Sequence, residues 1–393
     1  MKTFLQPLQN LAEMEEIQKQ AKKNRGILEI SGCMESQKAH LMYGLSGLFP
    51  CHLVIAADEK SAKELYEDYR FYDKRVYYYP AKDLLFFQAD IHGNLLIRQR
   101  MQVIRALLER EDEITVVTSI DGCMDYLAPL EKIEKQLIHF RNDSTLDMDK
   151  LTAALVHMGY ERVGQVEMPG QFSIRGGIID IYSLTEENPW RIELWGDEID
   201  SIRSFDAQSQ RSLENLDDVT IYPAAEQPME KNGVSFLDYF KETETLFFLD
   251  ELNHLEENAK AVQEEFQQSC ENRKEKGEIS LSGDWMCTWE ELCYKINDRN
   301  CVAMSLLDPK KSNWKISDQF NITVKSMSSY QSSFELLVKD LKQYKKEGYQ
   351  IVLLSGSRTR AERLAKDLQE EGLNAFYGQD SDRILQPGEI MVA

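Results

Sequence analysis

The amino-acid sequence predicts an α/β protein in which a mostly parallel, helix-covered sheet is interrupted by a β-rich domain and followed by a small α/β unit. Two observations lead to this prediction. In residues 1–134, short apolar runs of strand length alternate with amphipathic helical segments, which is typical of a parallel sheet covered by helices. In residues 160–215 the helical periodicity gives way to short apolar runs separated by turn signals, which is typical of an antiparallel meander.

Length and composition exclude several classes of protein. A chain of 393 residues is long enough for roughly two to four domains. No apolar run is long enough to cross a membrane and the N-terminus has no signal-peptide pattern, so we expect a cytoplasmic protein without a membrane partner. A net charge of −21 repels phosphates, so we expect the chain to bind nucleic acid poorly. The seven cysteines and six histidines have neither zinc-site nor hydrolase spacing, so we expect no metal site and no catalytic residues.

The pattern divides the chain into four segments. Residues 1–134 carry the first part of the parallel-sheet domain, and residues 135–222 carry the β-rich domain. The parallel-sheet domain resumes in residues 223–329, and residues 330–393 form the small α/β unit. Because the sequence stops inside an apparent strand, we expect this last unit to be truncated.

The loop after the first strand has the spacing of a phosphate-binding loop without its chemistry. The strand Ile27–Ile30 is followed by Gly32 and Lys38, which are spaced as in GxxxxGK[ST]. Gln37 replaces the second glycine, and Ala39 replaces the hydroxyl that would bind magnesium. Since a phosphate site needs amide donors and positive potential, we interpret this loop as a degenerate P-loop in a motor-like domain.

A second degenerate motor motif follows the apolar run Leu246–Leu249. Asp250 and Glu251 stand where a DExH motif has the acids that hold magnesium. Acids often follow strands, so this signal is weak alone, but together with the loop at Gly32 it favours a motor-like domain. We expect this chain to bind neither ATP nor magnesium.

The β-rich segment has an unusual charge pattern. Residues 151–230 contain no lysine but five arginines, namely Arg162, Arg175, Arg191, Arg203 and Arg211. Strand alternation places Arg191 and Trp195 opposite to Ile192, and it likewise places Arg175 opposite to Ile174.

If the aliphatic residues form the core, Arg175, Arg191 and Trp195 share the solvent face of adjacent strands. An exposed tryptophan beside arginines is typical of a protein-binding hot spot. The same pattern also fits an ordinary surface tryptophan packed along an arginine stem.

The runs GQFSIRGGIIDIYS at 170–183 and PWRIELWGDEIDSIRSFD at 189–206 resemble the domain that bacterial transcription-repair coupling factors share with the excision-repair protein UvrB. The resemblance extends over the chain and implies the N-terminal, UvrB-like region of that family. It also implies that Arg175, Arg191 and Trp195 bind UvrA, so that excision repair is recruited to RNA polymerase stalled at DNA lesions.

The resemblance implies further partners outside this sequence. An ATP-driven, magnesium-dependent translocase that contacts DNA and releases RNA polymerase is expected in a missing C-terminal part. That part is also expected to mask the docking face within the same protein.

Two other functions remain open from the sequence alone. The chain is compatible with a UvrB-type damage-verifying helicase, or with an unrelated α/β scaffold that binds another partner through Trp195. Gln37 and Ala39 argue against the helicase. The segment 80–94 argues against it too, because it is too short for the hairpin with which UvrB clamps DNA.

Overall fold

The structure is a computed structural model that describes residues 2–23, 25–82, 94–226, 233–276, 286–307, 314–327, 330, 333–378 and 383–393. The strands within these residues are β1 (Gly26–Ser31), β2 (Cys51–Ala56), β3 (Val76–Tyr79), β4 (Ile114–Ser119), β5 (Tyr126–Leu127), β6 (Ile138–Arg141), β7 (Glu161–Arg162), β8 (Gln171–Arg175), β9 (Ile178–Ile181), β10 (Trp190–Trp195), β11 (Glu198–Phe205), β12 (Ser212–Leu216), β13 (Asp218–Ile221), β14 (Val234–Ser235), β15 (Thr245–Asp250), β16 (Asn300–Ser305), β17 (Ile316–Asn321), β18 (Ile351–Leu353), β19 (Ala375–Tyr377) and β20 (Ile390–Val392). The helices are α1 (Lys2–Gln9), α2 (Met14–Lys23), α3 (Glu35–Ser46), α4 (Glu59–Tyr69), α5 (Asn94–Glu109), α6 (Ile120–Cys123), α7 (Leu130–Glu134), α8 (Met148–His157), α9 (Leu252–Glu275), α10 (Trp289–Asn297), α11 (Phe334–Lys346) and α12 (Arg358–Glu370), with a 3₁₀ helix at Phe236–Tyr239.

The largest unit is built on a parallel sheet of seven strands in the order β17-β1-β16-β15-β2-β4-β3. Strand β15 shows why these apolar runs are central strands. Phe247 and Leu249 belong to the hydrophobic cluster on one face, and Leu246 and Phe248 belong to the cluster on the other. Side chains alternate between the faces, so a strand covered by helices on both sides has to be apolar throughout. The predicted α/β class with a mostly parallel sheet is confirmed.

The chain leaves this sheet after β4 and returns to it at β15. In between, β12-β11-β10-β9-β8-β7 form a separate six-stranded sheet, and β6 pairs with β13. Helix α8 covers one face of the six-stranded sheet, because its Leu151 and Leu155 are buried in the same cluster as Phe172 and Ile192. The predicted β-rich meander is therefore present, with one face covered by a helix and the other directed away from it.

Helix α5 of the large unit packs against the β-rich unit. Its Ile97 packs against the hydrophobic cores of both units. Arg105 forms an ion pair with Glu186, and the Tyr222 hydroxyl donates to Glu109 at 3.0 Å. These contacts between α5 and the β-rich unit combine apolar packing with charge-assisted hydrogen bonds, which are stronger than neutral ones.

A fully buried arginine fixes the segment by which the chain returns from the β-rich unit. Arg100 of α5 is 0% exposed and pairs with Glu226 and with Asp125, whose oxygen lies 3.0 Å from Nη2. Its Nη1 group donates to the Pro80 carbonyl at 3.1 Å, and its guanidinium lies 4.3 Å from the centroid of the Tyr79 ring. Buried charges are tolerated only when they are paired in this way.

The last unit is a small parallel sheet, β18-β20-β19, packed with α11 and α12 around its own cluster of buried residues. Met391 and Leu385 instead join a cluster of the large unit. No helix within the described ranges is long and apolar enough to span a bilayer. Most of the segment expected to be too short for a DNA-clamping hairpin, residues 83–93, lies outside the described residues.

Candidate functional site

The three residues predicted to form a binding surface lie on two strands that are separated by a third. Arg175 ends β8, whereas Arg191 and Trp195 lie on β10, and β9 runs between these strands. The expectation of adjacent strands is therefore wrong. Alternation along each strand still places the three side chains opposite to the helix-covered face, where Ile192 is fully buried.

Asp180 on β9 joins the two arginines. Its carboxylate accepts hydrogen bonds from Arg191 Nε at 2.7 Å, from Arg191 Nη2 at 2.9 Å and from Arg175 Nη2 at 2.7 Å. The side chain of Asp180 is only 1% exposed. Sequence reasoning missed this residue, although one carboxylate in the run Ile178–Ile181 falls by alternation on the arginine face.

Arg191 is mostly buried, which corrects the prediction that it faces solvent. Its side chain is 14% exposed, and its guanidinium lies 4.4 Å from the centroid of the Phe205 ring. Nη2 also donates to Gln210 Oε1 at 3.0 Å. The hydrogen bonds to Asp180 raise the pKa of Arg191 above its already high value, so this side chain stays charged. The burial comes from Phe205, the last residue of the neighbouring strand β11, and from Gln210 in the connection after it, which alternation along β10 cannot show.

Arg175 and Trp195 form the open end of the same face. The Arg175 side chain is 46% exposed and Trp195 is 83% exposed. Trp195 ends β10 and is opposite Glu198 across a two-residue turn, in which Gly196 has a φ of 65°. Glycine adopts that conformation without strain, so the turn holds the ring at the tip of a hairpin. A ring this exposed does not pack along an arginine stem.

The group formed by Arg175, Arg191 and Asp180 carries a positive excess, whereas Glu198, opposite Trp195, adds a negative charge at the exposed end of the same face. Arg203 pairs with Glu193, with Nη2 and Oε1 2.5 Å apart, so these two side chains cancel. Arg175 and Arg191 share the single carboxylate of Asp180, which leaves one net positive charge. In a chain of net charge −21, this arginine pair is a local positive charge that would attract an acidic group.

Comparison with known proteins gives this face a context. Residues 138–226, from β6 to just beyond β13, match the family model of the UvrB interaction domain. The transcription-repair-coupling factor of Bacillus subtilis is 28% identical over an alignment that covers 92% of this chain and 37% of that protein. The one from Staphylococcus haemolyticus is 24% identical, covering 81% of this chain and 32% of its own length. A third, from Staphylococcus aureus strain MRSA252, is 35% identical over 42% of this chain and 14% of its own length.

This chain is similar to the N-terminal region of transcription-repair-coupling factors. It spans little more than a third of the length of the Bacillus relative, so the similarity alone does not assign the activity of the whole relative to this chain. The arginine pair, Asp180 and Trp195 all lie within the residues that match the UvrB interaction domain.

The second predicted site lies outside the UvrB interaction domain, in the parallel-sheet unit. Lys38, which stands at the lysine position of the predicted degenerate P-loop, is 3% exposed. Its Nζ group donates to Asp250 Oδ1 at 2.5 Å and to Glu251 Oε1 at 2.7 Å. Burial lowers the pKa of Lys38, but the attraction of Asp250 and the hydrogen bonds to both acids outweigh it, so the pKa is raised overall. Lys38, from the first predicted motif, and the two acids of the second therefore meet and neutralise part of each other's charge.

The backbone that follows Gly32 uses two of its amides within helix α3. Helix α3 begins at Glu35, so Gln37, Lys38 and Ala39 lie in its first turns and not in a loop. The amides of Gln37 and Lys38 donate to the Met34 carbonyl at 2.9 and 3.2 Å. These amides are therefore not free to bind phosphate.

Gly32 itself has a different role from the first glycine of a phosphate loop. Its φ is 81°, and a Cβ added to it would lie 2.1 Å from the Ile322 carbonyl oxygen. The residue thus permits the close approach of the chain that follows β17. No group of three His, Cys, Asp or Glu side chains in the described parts of the chain is arranged to bind a metal ion.

Proposed function

We propose that this chain is the N-terminal region of a bacterial transcription-repair coupling factor and that it binds UvrA through the open end of the β-rich sheet. The observation that carries the proposal is the position of Trp195, 83% exposed at a hairpin tip within the UvrB interaction domain. Tryptophan and arginine are the residues most enriched in binding hot spots, because a large rigid ring buries much area at little entropic cost.

The three residues contribute differently to this surface. Trp195 supplies apolar area, and Arg175 supplies an exposed guanidinium whose Nη2 is already committed to Asp180. Arg191 supplies a fixed positive charge beneath the exposed residues, because Asp180, Gln210 and Phe205 hold its side chain in place. The partner surface is therefore expected to offer an apolar pocket next to a carboxylate.

The proposal assigns no nucleotide chemistry to this chain. Lys38 is paired with Asp250 and Glu251, and the amides of Gln37 and Lys38 donate to the Met34 carbonyl. ATP, magnesium, DNA and RNA polymerase are then bound by other regions of the longer protein, whose translocase releases the stalled polymerase. A C-terminal part of the same protein masks the UvrA-binding face until UvrA is to be recruited. The full-length protein acts in the cytoplasm.

The test is a titration of purified UvrA against the wild-type chain, Trp195→Ala and Arg175→Ala. We expect each substitution to raise the dissociation constant by at least about tenfold, the effect of losing a hot-spot side chain. Tyr294→Ala is the matched control, because Tyr294 is an equally exposed aromatic residue, 79% accessible, on α10 of the other unit. Equal affinity for wild type and Trp195→Ala would refute the proposed surface.

A further inference from the structure

We propose that Asp180 is the positioning residue of the docking surface. Its buried carboxylate fixes two guanidinium groups, which come from strands that do not touch, as one binding unit. This inference rests on the proposed UvrA-binding function. It adds to that function a residue that does not itself contact the partner.

The register of the sheet explains how one carboxylate serves two strands. Asp180 is directly opposite Arg191 on β10 and directly opposite Ser173 on β8. Arg175 is opposite Ile178, so it reaches Asp180 along the diagonal between neighbouring strands. Asp180 Oδ2 accepts from both arginines, and Oδ1 accepts from Arg191 alone. Both carboxylate oxygens are therefore engaged on the arginine side.

Two guanidinium groups this close repel each other unless an anion lies between them. Arg191 is 14% exposed, so water screens its charge poorly, and Asp180 is the only carboxylate recorded in an ion pair with it among the described residues. Without Asp180, the repulsion between the two guanidinium groups would be relieved most easily by movement of Arg175, the more exposed of the two, into solvent. The face would then lose its fixed arrangement of donors, although every residue proposed to touch UvrA would still be present.

The arrangement also leaves defined donors for a partner. Within the described residues, no hydrogen bond occupies Nε or Nη1 of Arg175, or Nη1 of Arg191. Asp180 thus holds both guanidinium groups, and it keeps Nε and Nη1 of Arg175, whose side chain is 46% exposed, available in a set orientation. Pre-organised donors of this kind bind more tightly because less side-chain entropy is lost on association.

The first experiment compares wild type and Asp180→Asn in their affinity for UvrA. Asparagine has nearly the same shape, but it accepts through one oxygen and turns an N–H donor towards the guanidinium groups. We expect the dissociation constant to rise by at least about tenfold. Asp125→Asn is the matched control, because Asp125 is also a buried acid paired with an arginine, 3.0 Å from Arg100, but lies in the other unit. That control should lower the melting temperature and leave UvrA affinity unchanged.

A second comparison separates positioning from loss of folding. If Asp180 acts by holding Arg175, Asp180→Asn should weaken binding less in an Arg175→Ala background than in wild type. Trp195→Ala removes no contact with Asp180. In that background, the increase in dissociation constant caused by Asp180→Asn should stay within about twofold of the increase it causes in wild type. A role in folding alone would give the same loss in both backgrounds and would overturn the inference.

A third variant covers the case in which Asp180→Asn does not fold. Asp180→Glu keeps the charge but moves the carboxylate outward by one methylene, so it should fold and still weaken UvrA binding. Wild-type affinity in Asp180→Glu and Asp180→Asn would show that Asp180 positions nothing, while the proposed docking function would stand. No binding of UvrA by the wild-type chain would instead remove the docking function, and this role with it.

Discussion

Lys38 and Asp250 form a buried ion pair in which Nζ lies 2.5 Å from Oδ1, with both side chains less than a tenth exposed. The residues come from the start of α3 and the end of β15, which are 212 positions apart in the chain. The pair ties the first part of the parallel-sheet unit to the part that follows the inserted UvrB interaction domain.

Breaking this pair from one side should be costly. Lys38→Met removes the counter-ion of a buried carboxylate, and we expect the free energy of unfolding to fall by about 3 kcal/mol. Urea denaturation at pH 7 measures this loss. The double variant Lys38→Met/Asp250→Leu should recover most of it, because neither charge is left buried. A single variant as stable as wild type would mean that the pair contributes nothing.

Magnesium-ATP should not stabilise the chain. A ligand that binds only the folded state raises the melting temperature, by an amount that grows with its concentration over its dissociation constant. Here Glu35, Asp250 and Glu251 offer carboxylates where a nucleotide would bring phosphates, and Lys38 is already paired. Thermal melts with and without millimolar magnesium-ATP test this. A rise in melting temperature that Lys38→Ala abolishes would contradict it.

Arg191→Ala should affect stability as well as binding, unlike Trp195→Ala. Removing the Arg191 guanidinium leaves Asp180 with only Arg175, so we expect a loss of about 2–4 kcal/mol in the free energy of unfolding. Trp195 is 83% exposed, and its replacement should change stability by no more than about 0.5 kcal/mol. Chemical denaturation of both variants checks the difference. Equal stability in Arg191→Ala and wild type would show that its burial is energetically unimportant.

His52 should make the protein less stable in mild acid. It is buried in β2, with Nδ1 3.2 Å from the Thr115 hydroxyl, and burial lowers its pKa to about 4. The unfolded chain binds this proton near its ordinary pKa of about 6.5, so stability falls as pH drops from about 6.5 to 4, by about 3 kcal/mol in total. His52→Asn should flatten this part of the stability curve.

The measurement for His52 is the difference in unfolding free energy between wild type and variant across that pH range. A difference is needed because Asp121 contributes with the opposite sign. Burial raises the pKa of Asp121 to about 6, so this group favours the folded state as the pH falls. Parallel pH profiles for His52→Asn and wild type would contradict the prediction.

Strand alternation alone predicts part of the candidate site correctly. It gives the outward direction of Trp195 and Arg175, because period two depends only on local geometry. It fails for Arg191, because the cover supplied by Phe205 and Gln210 comes from the far side of a hairpin. It also gives no hint that Asp180 serves both arginines, since the order of the strands is a long-range property.

The same limit applies to the parallel-sheet unit. The apolar runs predict its strands, and the alternation with helices predicts that the sheet is parallel. The sequence does not predict the contact between Lys38 and Asp250, because the spacing within each motif does not reveal which distant side chain will pair with it.

The contacts of α5 determine whether the β-rich unit can be transferred to another protein as a separate module. The family match covers residues 138–226, yet the partners of Glu186, Tyr222 and Glu226 lie on α5, outside that range. A graft of 138–226 into a foreign scaffold would strip these side chains of their counter-charges and expose the apolar surface that Ile97 covers. The range from α5 to residue 226 cannot serve as a cassette either, because it contains β4, which lies between β2 and β3 in the seven-stranded sheet. The β-rich unit and the parallel-sheet unit are therefore expected to be exchanged between proteins only as one piece.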